Sequence, residues 1–265
     1  MRFMIPFLVL LGLTVRSAAE QLEVDLELVL MADVSRSMTE RELEIQRRGY
    51  AEALRSGDVL AAIQRGFLQR IALTYVEWAG YQEVIVDWRL IETQDDLDDF
   101  ADALTARFDP SLRRTSISGA LLMGADMLRD NEYAGFRQVI DISGDGPNNQ
   151  GRPVLHARNA VVAQGIVING LPLMTREGLG LAWHLDDLDI YFRTCVIGGF
   201  GAFVLPVTDW QDFAAAVRRK LVLEIGGDMP PPVVHAQSGD LARDPTDCLI
   251  GEKIWQQRGN GFVIP

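Results

Sequence analysis

Three short segments of this 265-residue chain carry oxygen-bearing side chains in an order and setting that suit a small hard cation. They are Asp33-Val34-Ser35-Arg36-Ser37, Thr115 within Arg114-Thr115-Ser116-Ile117-Ser118-Gly119, and Asp145 within Ser143-Gly144-Asp145-Gly146. Each follows an apolar strand-like run or precedes a helix-like run, where a parallel sheet presents its loops to a ligand. Hydroxyl and carboxylate oxygens without His or Cys favour Mg²⁺ over zinc, with Mn²⁺ or Ca²⁺ as alternatives. Mg²⁺ demands near-octahedral oxygen ligation and keeps water, so such a set leaves one position that an acidic group of a partner can fill.

Every piece also has a purely structural reading. Ser37 to Glu40 has the spacing of a capping box, and Thr39 to Glu42 repeats it. Thr115 alone reads as a helix cap and Asp145-Gly146 as a turn. Ser116 and Ser118 stand close enough to replace Thr115 if the register shifts. The coincidence of three segments, in order and each at the end of an element, favours the metal reading.

The elements that must position these residues follow from the apolar pattern. Leu22 to Met31 ends in a continuous apolar run, as in a strand buried on both faces, with Asp33 at its end. Arg41–Leu54 and Val59–Ile63 have helical spacing, and Ile71–Trp78 and Val84–Ile91 read as a hairpin. Helices are expected at Thr93–Arg107, Ser116–Leu128, Pro153–Gln164, Leu181–Tyr191 and Trp210–Leu223. Strands are expected at Phe136–Ile142, Ile166–Leu173 and Ala202–Val207. This alternation predicts an α/β fold, doubly wound, with a mostly parallel central sheet and helices on both faces.

The termini differ from this body. Arg2, the apolar stretch Phe3–Val15 and the small residues Ser17-Ala18-Ala19 read as a signal peptide over 1–19, too short to span a bilayer, which leaves no stable membrane insertion after cleavage. The main domain is expected over 20–225. A Pro-rich linker (Pro230-Pro231-Pro232) and an aperiodic appendage are expected over 226–265. The formal charge of −12 becomes −14 once Arg2 and Arg16 leave with the leader, a surface that repels nucleic acid. Two cysteines in an exported chain point to one disulfide between Cys195 and Cys248, which would hold the appendage to the main domain.

Other groups carry less chemistry. Asp95-Asp96-Leu97-Asp98-Asp99 lacks the spacing of a calcium loop and fits a helix first turn after Thr93. Asp186, Asp187 and Asp189 read as a solvated helix face. His156, His184 and His235 show no zinc spacing. Gly198-Gly199-Phe200-Gly201 lacks the Lys and hydroxyl of a phosphate loop. Trp78, Trp88, Trp183 and Trp210 read as packing residues.

The three segments resemble the von Willebrand factor type A (VWFA) domain with a metal-ion-dependent adhesion site. That pattern is Asp-x-Ser-x-Ser after the first strand, Thr before a central helix, and Asp-Gly after a later strand. Asp33, Ser35 and Ser37 match the first part, Thr115 the second and Asp145 the third. Gly144 departs from it, standing where the family more usually has Thr or Ser. The resemblance extends over Leu22 to Leu223 and to a group of exported bacterial VWFA proteins of uncharacterised role (DUF1194-like). It implies direct ligation by Ser35, Ser37 and Thr115, and action through water by Asp33 and Asp145.

The expectation is an exported, non-enzymatic binding module, periplasmic or secreted, that uses a divalent cation to hold a protein ligand by an exposed carboxylate. Two alternatives stand beside it. One is a metal-assisted hydrolase with Asp141 or Glu40 as base, and the other is a structural domain without metal.

Overall fold

In the computed structural model, which describes residues 21–105, 114–175, 185–227 and 246–259, the first apolar run divides into β1 (Leu22–Val24) and β2 (Leu26–Asp33). Asp25 separates the two, its carboxylate accepting from the amides of Leu68 at 2.9 Å and Arg70 at 3.4 Å. Every residue of β2 is buried. Leu26, Leu28 and Leu30 enter one apolar cluster while Val29 and Met31 enter another, so the two-residue period of the strand fills both faces.

β2 is the centre of a five-stranded sheet. Its order is β4 (Gln82–Ile91), β3 (Ile71–Trp78), β2, β6 (Gln138–Gly144) and β7 (Val167–Pro172). All neighbours are parallel except β4, which returns from β3 as an antiparallel edge. A short strand β5 (Tyr133–Gly135), not evident in the sequence, pairs with β1 in a separate two-stranded sheet.

Helices cover both faces. α1 (Glu40–Leu54), α2 (Gly57–Gln64) and α3 (Gln94–Thr105) contribute Tyr50, Val59 and Phe100 to one core. α4 (Ile117–Arg129), α5 (Val154–Val162) and the short α6 (Leu188–Tyr191) contribute Leu121, Val154 and Tyr191 to the other. The chain then returns to the first face with α7 (Phe213–Gly226), which packs on α1 and α2. Gly227, at φ 71°, follows α7 in the left-handed conformation that glycine tolerates. Arg137 donates to the carbonyls of Glu224 and Ile225 at 2.8 and 2.6 Å, satisfying two of the groups the helix end leaves unpaired.

Three expectations are corrected. Ala202–Val207 forms no strand, only isolated bridges of Val204 to Gly170 and Val207 to Leu173. Pro206 supplies no amide, and the amide of Phe203 donates to the Asn169 side chain at 3.0 Å. Of the helix expected at Leu181–Tyr191, the described part is helical only from Leu188, and it passes into a π-helical turn at Phe192–Val196. The appendage, which shows no period, contains α8 (Ile250–Gly259), held by the Cys195–Cys248 disulfide with 5.5 Å between Cα atoms. The expected leader, the Pro-rich linker, His184, His235 and Trp183 lie outside the described residues.

Candidate metal centre

The sheet order has β2 leading away to β3 on one side while β6 lies on the other, so the carboxyl ends of β2 and β6 border a topological switch point. Asp33 is the last residue of β2 and Asp145 directly follows β6. Parallel pairing of Met31 with Ile142 brings the two strand ends together. The amide of Asp145 reaches Oδ2 of Asp33 at 3.4 Å, and the amide of Ser35 donates to Asp33 Oδ1 at 2.7 Å. Asp33, fully buried, thus holds the β2 loop with one oxygen and the β6 loop with the other.

The hydroxyls lie above it. Ser37 Oγ donates to Asp145 Oδ1 at 2.8 Å, and Ser35 Oγ and Ser37 Oγ are 3.0 Å apart. Neither serine caps α1. That role belongs to Thr39, whose side chain accepts from the Glu42 amide while the Glu42 carboxylate accepts from the Thr39 amide. Likewise Ser116 caps α4, its Oγ accepting from the Gly119 amide at 3.2 Å, so Thr115 is not the cap. Both local alternatives are occupied by a neighbouring residue.

Thr115 is brought in by Asn149, a residue without a signal in the sequence beyond its place in a polar turn. Asn149 Oδ1 accepts from the Thr115 amide at 3.2 Å, and its own amide donates to the Thr115 carbonyl at 3.0 Å. Asn148 anchors the same loop from below. Its Oδ1 accepts from the Ser118 amide, and its amide donates to the Tyr191 hydroxyl. Ser35, Ser37, Thr115 and Asp145 line one cleft of about 640 Å³, shared with Arg36, Arg114 and Trp255.

Both carboxyl groups of the cradle are pushed towards their neutral forms. Burial, and secondarily the neighbouring Asp145, raises the Asp33 carboxyl well above its ordinary value. Burial also raises Asp145 to about 6; the Ser37 hydrogen bond opposes the shift and the Glu42 charge adds to it. Among the described residues no three His, Cys, Asp or Glu side chains cluster as metal ligands. An ion here would be held by hydroxyls as much as by carboxylates, a donor set for a hard cation.

Neither of the two residues considered as bases lines the cleft. Asp141 is buried and its Oδ1 is 2.5 Å from Lys220 Nζ, and Glu40 is exposed at the start of α1. The acidic run after Thr93 lies in the first turns of α3, where the Asp96 amide donates to Thr93 Oγ1 and the Asp96 carboxylate accepts from the Glu92 and Thr93 amides. His156 is exposed on α5.

The residue that departs from the family pattern has a steric explanation. A Cβ at Gly144 would lie 3.2 Å from both Asp33 Oδ2 and Trp78 Cζ2, a tight approach that a larger residue could make only if its neighbours gave by a few tenths of an ångström.

The appendage reaches the same cleft. Asn148 Nδ2 donates to Glu252 Oε1 at 2.7 Å, and a Cβ at Gly251 would stand 2.1 Å from the Asn148 carbonyl oxygen, so α8 packs directly on the loop that carries Asp145. The Arg114 guanidinium lies 5.1 Å from the centre of the Trp255 ring. Nothing in the sequence singles out Trp255, because its placement depends on the disulfide.

Residues 23–229 match the family described as protein of unknown function (DUF1194). No curated protein matches the sequence. Several solved structures share the fold. Proximal thread matrix protein 1 from the mussel byssus aligns with a TM-score of 0.53 and 14% identity, over 78% of this chain and 49% of that one. The pilus adhesin SpaC from Lactobacillus rhamnosus GG aligns with a TM-score of 0.54 and 11% identity, over 76% and 31%. A von Willebrand factor type A protein from Catenulispora acidiphila aligns at 0.51 and 12% identity, over 77% and 43%. Another structure of the mussel protein, with a TM-score of 0.51 and 15% identity over 78% and 49%, is described with a zinc-occupied MIDAS motif. The chain thus spans about half the length of the matrix protein and about a third of the adhesin.

Proposed function

The chain belongs to the DUF1194 family of proteins of unknown function and has the von Willebrand factor type A fold, and from that premise we propose that it is a non-enzymatic binding module whose divalent cation receives an acidic group of a protein partner. The observation that carries this reading is the arrangement of Asp33 and Asp145 beneath the Ser35 and Ser37 hydroxyls. Two carboxylates pushed towards their neutral forms by burial, with no cationic side chain among their hydrogen-bond partners in the described residues, form a cradle that a small cation would neutralise.

Ser35, Ser37 and Thr115 would face the ion, with Asp33 and Asp145 supplying the negative charge behind them. The ion would supply an electrophilic position open to a carboxylate from outside. The chain's own residues do the rest. Asp33 fixes the two loops against each other, Asn149 fixes Thr115 beside them, and Arg36 and Arg114 at the cleft favour an anionic ligand. The zinc of the mussel protein supports a divalent ion in this fold, and Mg²⁺ is preferred here for its match to an all-oxygen set.

The disulfide fits an oxidising compartment, and no helix among the described residues is long and apolar enough to cross a membrane. We place the chain in the periplasm or outside the cell, after removal of the leader at 1–19, with 20–225 as the binding domain and 226–265 as its appendage. The decisive experiment is calorimetric titration of Mg²⁺, Mn²⁺ and Zn²⁺ into chelator-treated protein and its Asp33→Ala variant. Saturable binding of one ion per chain, weakened about 10- to 100-fold in the variant, is expected. Equal binding by both proteins, or none by folded wild type, would overturn the reading.

A further inference from the structure

On the face of the sheet covered by α1 and α7, away from the cleft, three ionisable side chains meet where water does not reach. Lys220 of α7 is fully buried, with Asp141 of β6 and Glu224 of α7 each at most 2% exposed. Lys220 Nζ lies 2.5 Å from Asp141 Oδ1 and contacts Glu224 Oε1. Asp141 Oδ1 has no hydrogen-bond partner despite that closeness, so the nitrogen approaches the carboxyl group outside hydrogen-bond geometry. Glu224 is oriented by Asn169, whose Nδ2 donates to the same Oε1 at 2.9 Å. The Phe203 ring centre is 5.4 Å from Nζ.

We infer that Lys220 and Asp141 are joined by an intramolecular amide bond, formed after folding with Glu224 as the proton carrier. A buried amine is a nucleophile, a protonated buried carboxyl is its acceptor, and a second carboxylate beside both can move the protons. The fold supplies all three at contact distance, which replaces a collision in water by a fixed geometry. Burial raises both carboxyl groups, Glu224 to about 7, which favours the protonated acceptor that the condensation requires.

The step balances. The Lys220 ammonium passes one proton to the Glu224 carboxylate, and the freed Nζ lone pair attacks Cγ of protonated Asp141. The new C–N bond forms as the carbonyl π pair moves onto oxygen. Nζ then loses a second proton, and the departing hydroxyl gains one through Glu224. The C–O bond breaks, and one water leaves. The product is a neutral amide beside a neutral Glu224, so a site that otherwise holds a buried cation between two acids keeps no charge. The bond would tie β6, which ends at Asp145, covalently to α7.

The test is the intact mass of the full chain after reduction and denaturation, compared with Asp141→Ala and Glu224→Gln, and proteolytic mapping of wild type. A deficit of one water in wild type, absent from both variants, and a branched peptide joining Lys220 to Asp141 are expected. Full mass in wild type, with Lys220 and Asp141 recovered in separate peptides, would overturn the inference and leave an ionic triad. A deficit of one ammonia would overturn Asp141 as the acceptor and point to Asn169. The wild-type mass decides the matter even where a variant fails to fold.

Discussion

The Cβ position of Gly144, the last residue of β6, lies 3.2 Å from Cζ2 of Trp78, the last residue of β3, the two reaching each other past the end of β2 at the rim of the proposed metal cradle. The indole is fully buried and its position is set by β3, so a side chain at the end of β6 would have to push the ring by a few tenths of an ångström. Gly144→Ser, which restores the commoner family residue, is expected to destabilise by about 1–3 kcal/mol through overpacking. Adding Trp78→Phe should return part of that loss, read as a coupling of at least about 0.5 kcal/mol in a denaturation-based double-mutant cycle. Additive effects would show that the ring does not set the residue.

Reduction of the disulfide is expected to act on α8 before it acts on the core. Closing a loop with a sequence separation of 53 is worth about 4 kcal/mol in the chain-entropy treatment, whereas the polar contact of α8 with the loop, Asn148 to Glu252, is a single hydrogen bond at its surface among the described residues. Mild reductant should therefore expose the appendage to protease while the far-ultraviolet dichroism of the sheet domain persists. Gly251→Ala, which forces a Cβ towards the Asn148 carbonyl, should give the same exposure with the disulfide intact. Loss of the whole fold on reduction would show that the bridge stabilises the core itself.

Stability should fall as pH rises through the range that separates the two states of Glu224. Its ordinary value is 4.5, and burial in the fold raises it to about 7. The native chain therefore holds a proton that the unfolded chain has released, so the contribution is present below about 4.5 and is lost as pH rises to about 7. An amide between Lys220 and Asp141 leaves Glu224 buried and keeps this direction. Glu224→Gln should flatten the chemical-denaturation profile over this range. An unchanged slope would assign the dependence to other groups.

Arg47 and Glu77 form a buried two-point pair between α1 and β3, with Nε to Oε1 at 2.5 Å and Nη2 to Oε2 at 2.6 Å. Arg47→Met leaves the Glu77 carboxylate without its cation in a dry setting and is expected to cost about 3–5 kcal/mol. The companion change Glu77→Gln in the same chain should recover much of this. A small loss in the single variant would mean that water enters and solvates Glu77.

The sheet was legible because its strands are buried on both faces and its helices carry one apolar side. Ile71–Trp78 and the start of α1 are readable from period alone. The order of Asp33, Ser35, Ser37, Thr115 and Asp145 was legible too, since loops at strand ends place their residues by topology. What the sequence left open were local choices between near-equal neighbours: Ser37 or Thr39 as the cap, Thr115 or Ser116. Hydrogen bonds made across the chain settle these, Ser37 being held by Asp145 and Thr115 by Asn149.

Other features had little or no local signal. Ala202–Val207 is apolar enough for a strand, yet Asn169, far off in sequence, takes the Phe203 amide. α8 lacks a clear stripe because its position comes from a covalent tether, from Ile250 at its start on the second core and from contacts with one loop rather than from a broad apolar face. Asp141 read from the sequence as a candidate base, and only folding, which brought α7 across it, showed its Lys220 neighbour. The sequence by itself determined the layers and the residues offered at the strand ends, because periodicity and element order are local properties. Only the tertiary structure decided that Lys220 meets Asp141, that Trp78 crowds position 144, and that Trp255 stands at the cleft, because those contacts join segments whose patterns say nothing of one another.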